Sequence, residues 1–352
     1  MKIVHVASFA PNSFGLYEAA RDMVKADVMS GHDVYFVDSG ANINNKMEYA
    51  KKGAKDERNG FCLTVSEPIE LDTADIIIVH SRPKVEWLSR NQAPIIYMLH
   101  DRPLYSYNLD DMQSKSYFNT YNYINQPRVK KFVYFWPEFK PFWDILPQNK
   151  QALLNYPPID NDRFNPEGEK HVIEDKNKGE FNILICDSWG REINVFEIVN
   201  GAMQYARENK NVKFHIYDIK TPLTHNIDLL LTKFRELGCC GELCGRMLNM
   251  EKVYRSMDAV LTPHRIITRV IGEALSCGVS VIASNKCSLG QFYCDPHDPY
   301  DVARAIKEFT NSNQELNRLN ALEQSRHLYL ENYSKTMNKI YNEILEGELL
   351  WK

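Results

Sequence analysis

The sequence predicts an α/β chain of two parallel-sheet domains, and three observations carry that expectation. Short apolar runs alternate with segments of helical spacing along most of the chain. A stretch rich in turn formers interrupts the alternation between Asn155 and Glu180, after which it restarts. The length of 352 residues suits two domains of roughly 100–200 residues, each able to bury its own core.

Ile3 to Ala7 is a short apolar run, Phe14 to Met29 carries helical spacing, and Gly31-His32-Asp33 leads into a second run, Val34 to Val37. Strand, helix and strand in that order is the unit of a parallel sheet. Strands follow at Ile76 to Val79 and Pro94 to Leu99, each ending in polar residues: His80-Ser81-Arg82 and His100-Asp101-Arg102. Open parallel sheets bind ligands beyond the carboxyl ends of their strands, which makes those tips candidate site residues. The first half reads as Rossmann-like. Asn155 to Pro166 and the charged stretch Glu167 to Glu180 read as the inter-domain linker. Beyond it come strands at Phe181 to Cys186, Val212 to Tyr217, Ala259 to Thr262 and Val279 to Ala283, and helices at Asn194 to Glu208, Ile227 to Leu237 and near Val270 to Ser276. Ala321 to Leu350 reads as helix with a break near Asn332.

Composition narrows the class. With 44% hydrophobic and 25% charged residues, 16 Gly and 16 Pro, the chain is neither collagen, coiled coil nor wholly disordered. A net charge of −4 and a pI near 6.2 supply no global field for polyanions, so contact with nucleic acid would need a local patch. No apolar run reaches the ~20 residues of a spanning helix, and the opening run is too short before Ser8, Pro11 and Asn12 to act as a signal peptide. Eight cysteines do not make a disulfide scaffold. The expectation is a reduced, cytoplasmic protein without a membrane span.

Several segments follow one another along the chain: Lys2-Ile3-Val4-His5-Val6 with Gly15 and Gly31-His32; Asp75 to Ser81; the strand ending in His100-Asp101; and the crossing Asn155 to Asp160 with Phe164 and Pro166. Later come Ser188-Trp189-Gly190-Arg191, Gly241 to Pro263, and the segment Glu273 to Ala283. In this order they resemble the retaining, nucleotide-sugar-dependent glycosyltransferases of the GT-B fold, group 1 type. The resemblance implies an α/β, GT-B architecture, with two Rossmann-like domains facing each other across a cleft. Residues 1–155 would form the acceptor-side domain, completed by a C-terminal helix 333–352, and residues 156–332 the donor-binding domain. Fold alone does not prove chemistry.

The chemistry must neutralise a departing diphosphate with cations or oriented amides. Arg191, Arg265 and Arg269 are the candidates, because a planar guanidinium grips two phosphate oxygens and stays charged. Amides near Gly15, and at a helix start near Val270, would add dipole stabilisation, glycine allowing a ligand close to the backbone. The resemblance implies that Glu273, placed before an apolar helix segment, accepts hydrogen bonds from ribose hydroxyls, that His100 contacts the donor sugar, and that Asp101 positions acceptor or donor; complementing a helix amino terminus is the structural alternative for Glu273. Two positions depart from the family pattern. Arg265 stands eight residues before Glu273, where many members carry an acid; Phe196 stands five after Arg191, where a lysine is usual. An anionic or unusual sugar is consistent with the first, and Arg265 or Arg269 would replace the missing cation in the second.

Cys239, Cys240 and Cys244 lack a second cluster at zinc spacing and read as buried thiols. Asp110-Asp111 and Asp160-Asn161-Asp162 read as turn formers rather than a cation site. No metal or other cofactor is expected; the donor is expected to be a UDP-sugar. Tyr105 to Trp143 holds 13 aromatic residues in 39, with Arg128, Lys130 and Lys131 among them, and offers rings for core packing or for stacking on sugars or bases. Lys51, Lys52, Lys55 and Arg58 form a second basic cluster in an expected loop.

The leading expectation is transfer of a sugar from a nucleotide diphosphate to a hydroxyl acceptor with retention, a glycan or small molecule coming first. The arginine-for-acid change and Ile266-Ile267-Thr268-Arg269 also resemble bacteriophage DNA glucosyltransferases, which act on hydroxymethylated bases. The same resemblance is compatible with a non-catalytic nucleotide-sugar binding protein and with a GT-B nucleotide-sugar epimerase.

Overall fold

Five consecutive buried residues at Ile76–His80 and five more at Ile95–Leu99 leave neither strand a solvent face. Such strands belong to a parallel sheet covered on both sides. The structure, a computed structural model, describes residues 1–7, 14–38, 51–56, 61–65, 73–80, 92–100, 126–137, 140–144, 146–154, 156–173, 181–186, 195–219, 225–245, 247 and 249–349. They divide into two compact units, Met1–Asp160 with Leu328–Lys352, and Asn161–His327.

The first unit contains β1 (Lys2–Ala7), α1 (Phe14–Met29), β2 (Asp33–Asp38), β3 (Lys51–Asp56), β4 (Phe61–Val65), β5 (Ile76–His80), β6 (Ile95–Leu99), β7 (Val129–Tyr134), α2 (Lys140–Trp143) and β8 (Gln151–Leu153). Its six-stranded sheet runs β2-β1-β5-β6-β7-β8, every pair parallel. One face packs Val4, Val6, Ile77, Val79, Tyr97, Leu99 and Phe132 into a core. The expected loop at Lys51, Lys52 and Lys55 is instead strand β3, paired antiparallel with β4 through Lys51↔Val65 and Lys55↔Cys62; Arg58 lies outside the described residues. A lysine-rich strand escapes a reading based on apolar runs because pairing with Phe61–Val65 supplies what its own pattern lacks.

The second unit contains β9 (Phe181–Cys186), α3 (Val195–Glu208), β10 (Val212–Tyr217), α4 (His225–Glu236), β11 (Cys240–Leu243), α5 (Met250–Ser256), β12 (Ala259–Leu261), α6 (Arg269–Ser276), β13 (Ser280–Ser284), β14 (Phe292–Cys294), α7 (Pro299–Asn311) and α8 (Gln314–Ser325). Its sheet, β11-β10-β9-β12-β13-β14, is again parallel throughout. Its core joins Ile183, Ile185, Phe214 and Ile216 of the strands to Ile198 and Ala202 of α3 and Val302, Ile306 and Phe309 of α7. α6 is followed by Gly278, whose φ of +74° is the left-handed turn a glycine permits. Val279 N donates to Ala274 O and Gly278 N to Leu275 O, the pair of bonds that closes a helix in a Schellman motif.

The chain returns to the first unit as α9 (Leu330–Leu349). The helix break expected near Asn332 falls earlier, in a 3₁₀ turn at Arg326–Leu328. Tertiary pairing sets it: Ile159 N donates to Leu328 O at 2.8 Å, and Ile159 bridges Tyr329 in parallel. Asp160 is buried beside that crossing, where Lys25 Nζ donates to its Oδ1 at 2.6 Å, so its carboxylate serves the fold.

Candidate functional site

In the second unit the strand order reverses at β9 and β12, because β10 and β11 lie on the far side of β9. The carboxyl ends at such a reversal form the ligand crevice of doubly wound sheets. β12 ends there at Leu261, and Thr262-Pro263-His264-Arg265 leads to α6, which starts at Arg269. Thr268, the N-cap, has extended backbone (φ −91°, ψ 171°) and makes no side-chain cap, and its Oγ1 is buried without a hydrogen-bond partner among the described residues. The amino terminus of α6 is therefore not occupied by its own capping side chain, and its dipole favours an anion.

Glu273 lies inside α6, a full turn beyond its first residue, and is only 7% exposed. The helix expected near Val270 to Ser276 is thus present, and Glu273 stands inside it. Residues four apart stack on one helical face, which sets Glu273 over Arg269, the first residue of the helix. Arg269 Nε donates to Glu273 Oε1 at 2.9 Å, with Nη2 at 2.8 Å from the same oxygen. Tyr254 of α5 donates its hydroxyl to Oε2 at 3.2 Å. Burial, reinforced by the Glu273 charge, pushes the Tyr254 phenol well above its usual range, so it stays a neutral donor. A carboxylate held by a cation and a phenol is oriented rigidly, and Arg269 stands at the first position of the helix, where an incoming phosphate would meet its guanidinium and the helix dipole together.

Arg265, Gly15 and His100 stand outside this pair. Arg265 is exposed and donates from Nη2 to His297 Nε2 at 2.9 Å. Gly15 is the second residue of α1 and exposed; an added Cβ would meet nothing within 4 Å, so space inside the protein does not demand glycine there. His100 directly follows β6 in the first unit and is half-buried; its Nε2 lies 2.9 Å from His80 Nδ1, and its ring packs 5.0 Å from that of Phe135. Asp101 and Arg191 lie outside the described residues, as do Asp110 and Asp111. Arg269 and Glu273 are thus the pair the fold brings into contact.

No protein-family model and no curated protein sequence matches the chain. Solved structures do. A glycosyltransferase from Rickettsia africae ESF-5 matches at 15% identity and TM-score 0.67, over 98% of this chain and 98% of that one. Sucrose-phosphate synthase from Thermosynechococcus elongatus matches at 12% identity and TM-score 0.68, over 99% and 100%. HepE from Anabaena, in complex with UDP and glucose, matches at 13% identity and TM-score 0.67, over 97% and 100%.

The chain has the GT-B fold.

Within that GT-B framework, Tyr254 is the site residue that sequence reasoning did not assign, although its place ahead of strand β12 lies within the Gly241 to Pro263 segment. Among the described residues, no group of three His, Cys, Asp or Glu side chains is placed to hold a metal ion. Cys239 is buried, Cys240 and Cys244 are half-buried, and burial raises all three thiols, Cys240 to about 11. Of the aromatic segment, Phe132, Tyr134, Phe135, Trp136 and Trp143 are buried and belong to the core. No helix among the described residues is long and apolar enough to cross a membrane.

Proposed function

We propose that this protein is a retaining glycosyltransferase that moves a sugar from a nucleotide diphosphate donor, a UDP-sugar first, to a hydroxyl of a glycan or small molecule. One observation carries the reading: Arg269, Glu273 and Tyr254 converge at the head of α6, at the strand-order reversal of the second GT-B sheet. Glu273 is proposed to receive the ribose hydroxyls, and Arg269 with the helix amino terminus to take the diphosphate as charge develops on it. Arg191 and Arg265 are proposed as further phosphate cations, Asp101 and His100 as positioning groups for sugar or acceptor, and the amino terminus of α1 at Gly15 as a second source of amides. HepE, solved with UDP and glucose, supports the donor class by likeness of fold. The Glu273 to Ala283 segment supports retention through its family resemblance.

A nucleotide-sugar panel read by thermal shift and calorimetry tests the proposal, since a ligand that binds only the folded state raises the melting temperature. A UDP-sugar is expected to raise it and to release nucleoside diphosphate when a hydroxyl acceptor is supplied, the product keeping the donor's anomeric configuration by NMR. Release of no nucleoside diphosphate with any donor and acceptor would overturn the enzyme reading. Turnover of donor into an epimer without acceptor would replace transfer by epimerisation. Hydroxymethylated DNA is one acceptor in the panel; salt-dependent gel shifts together with glucosylated product would move the acceptor to DNA.

A further inference from the structure

His5 and His80 lie on the neighbouring strands β1 and β5, His100 directly follows the next strand, β6, and the sheet register places them on one face. His5 is opposite Ile78, two residues before His80, and His80 is opposite Met98, two residues before His100. Alternation by two along a strand then turns all three rings the same way. Their nitrogens form a continuous chain. His5 Nε2 lies 2.9 Å from Asp27 Oδ2, His5 Nδ1 lies 2.9 Å from His80 Nε2, and His80 Nδ1 lies 2.9 Å from His100 Nε2. The ring centroids lie 5.2 and 5.1 Å apart, at interplanar angles of 18° and 35°. His5, His80 and Asp27 are fully buried, while His100 is half-buried.

We propose that Asp27–His5–His80–His100 is a proton relay that fixes the tautomer of His100 and gives it a buried proton acceptor. The direction of the hydrogen bonds is set at the inner end. Asp27 Oδ2 accepts from the Tyr341 hydroxyl at 2.8 Å and the Tyr333 hydroxyl at 3.5 Å as well as facing His5. An oxygen taking several donors is a carboxylate oxygen, so His5 must present Nε2–H to it. His5 Nδ1 is then an acceptor and requires Nε2–H on His80; His80 Nδ1 is an acceptor and requires Nε2–H on His100. The outer nitrogen of His100, Nδ1, then carries the lone pair of that ring. When that nitrogen takes a proton, one proton passes along each bond: His100 Nε2–H to His80 Nδ1, His80 Nε2–H to His5 Nδ1, and His5 Nε2–H to Asp27 Oδ2. All three rings end neutral with reversed tautomers, one proton having entered at His100 and one having reached Asp27. No charge rests on His80, which burial and the flanking histidines hold well below the usual histidine range.

The groups facing the relay from neighbouring elements support this assignment. Tyr333 and Tyr341 of α9 are pushed well above the phenol range by burial and then by Asp27, so both remain donors. The His32 ring meets Tyr341 edge-on, and Phe135 covers His100. Asp27 Oδ1 is buried without a hydrogen-bond partner among the described residues, so the carboxylate's interactions run through Oδ2. Asp27, His5 and His80 are positioning residues acting through His100; only their catalytic consequence rests on the proposed transfer.

Protein labelled with ¹⁵N in its histidine rings tests the relay directly by long-range ¹H–¹⁵N correlation at neutral pH. Three neutral rings, each protonated at Nε2, are expected for His5, His80 and His100. A proton on His100 Nδ1, or a charged His80, would overturn the proposal. In His80→Phe, which keeps an aromatic ring at that place but cuts both bonds, His100 is expected to become an exchanging mixture of tautomers. Should that variant not fold, Asp27→Asn replaces it, its amide able to donate as well as accept. It is expected to populate the reversed tautomer at His100, and a response confined to His5 would contradict coupling. In turnover, either variant is expected to lower kcat on the order of 10- to 100-fold with an altered pH profile and an unchanged KM for donor. The expected spectrum in a protein that turns over no donor would leave the relay standing and remove the transferase reading; an unchanged kcat and pH profile in an active variant would remove the catalytic role.

Discussion

Arg269 and Glu273 occupy successive turns of α6, with two guanidinium nitrogens within 2.9 Å of a single carboxylate oxygen. With side chains only 10% and 9% exposed, the pair is close to fully withdrawn from water. A role in folding and the proposed role in ligand binding can be separated experimentally.

Glu273→Ala leaves a buried guanidinium uncompensated and is expected to cost about 3 kcal/mol of stability in urea unfolding. The paired change Arg269→Met with Glu273→Leu removes both charges and should recover most of that loss. Nucleotide-sugar affinity, read by calorimetry, should stay low in both proteins. Affinity that returns with stability would assign the pair to folding alone.

Arg269→Ala is expected to weaken binding of a nucleoside diphosphate more than binding of the free nucleoside. A guanidinium reaching phosphate is worth about 1.5–3 kcal/mol, on the order of tenfold or more in Kd. Equal losses on the two ligands would place its effect away from the phosphates.

Gly201 of α3 lies against α7 so tightly that a Cβ would stand 2.4 Å from Val302 Cβ and 3.0 Å from Pro299 O. Both neighbours belong to rigid parts of the fold, so Gly201→Ala is expected to destabilise by about 1–3 kcal/mol, despite alanine's better helix propensity. A melting temperature at or above the parent's would refute the contact.

Stability is expected to fall on mild acidification. His80 binds a proton in the folded chain only well below the usual histidine range, whereas the unfolded chain binds it near pH 6.5 or so. Below that point the unfolded state carries the extra proton, so stability present above it is lost as the pH drops, at about 1.4 kcal/mol per pH unit for one such group. His327, lowered by burial, acts in the same direction. Urea melts between about pH 7.5 and 5.5 should show the decline, and His80→Phe should reduce it. A flat profile in the parent protein contradicts the burial argument.

Much of the sheet architecture was legible because buried parallel strands are written as apolar runs: Ile76 to Val79, Phe181 to Cys186 and Val279 to Ala283 appear as strands within a residue or two of the expectation. α7 was missed although Asp298-Pro299 spells its start, with the Asp298 side chain accepting from Tyr300 N and proline in the first turn. The hairpin β3–β4 and the break before α9 depend on partners remote in sequence, and no local pattern announces them. Glu273 and Arg269 stand four apart, a spacing that implies contact once the helix is known to include both. The histidine chain needed the register as well: His5, His80 and His100 were visible singly, but only the pairing of β1, β5 and β6 shows that they face one way.

The parallel bridge between Ile159 and Tyr329 sets where the chain leaves and re-enters the first unit. Everything between them is an insertion, and the helix that follows supplies the two phenols gripping Asp27. A nascent chain emerging amino end first therefore holds the first unit without its returning helix through the synthesis of the whole second unit. The inner carboxylate acquires those last donors only after the second unit has been made.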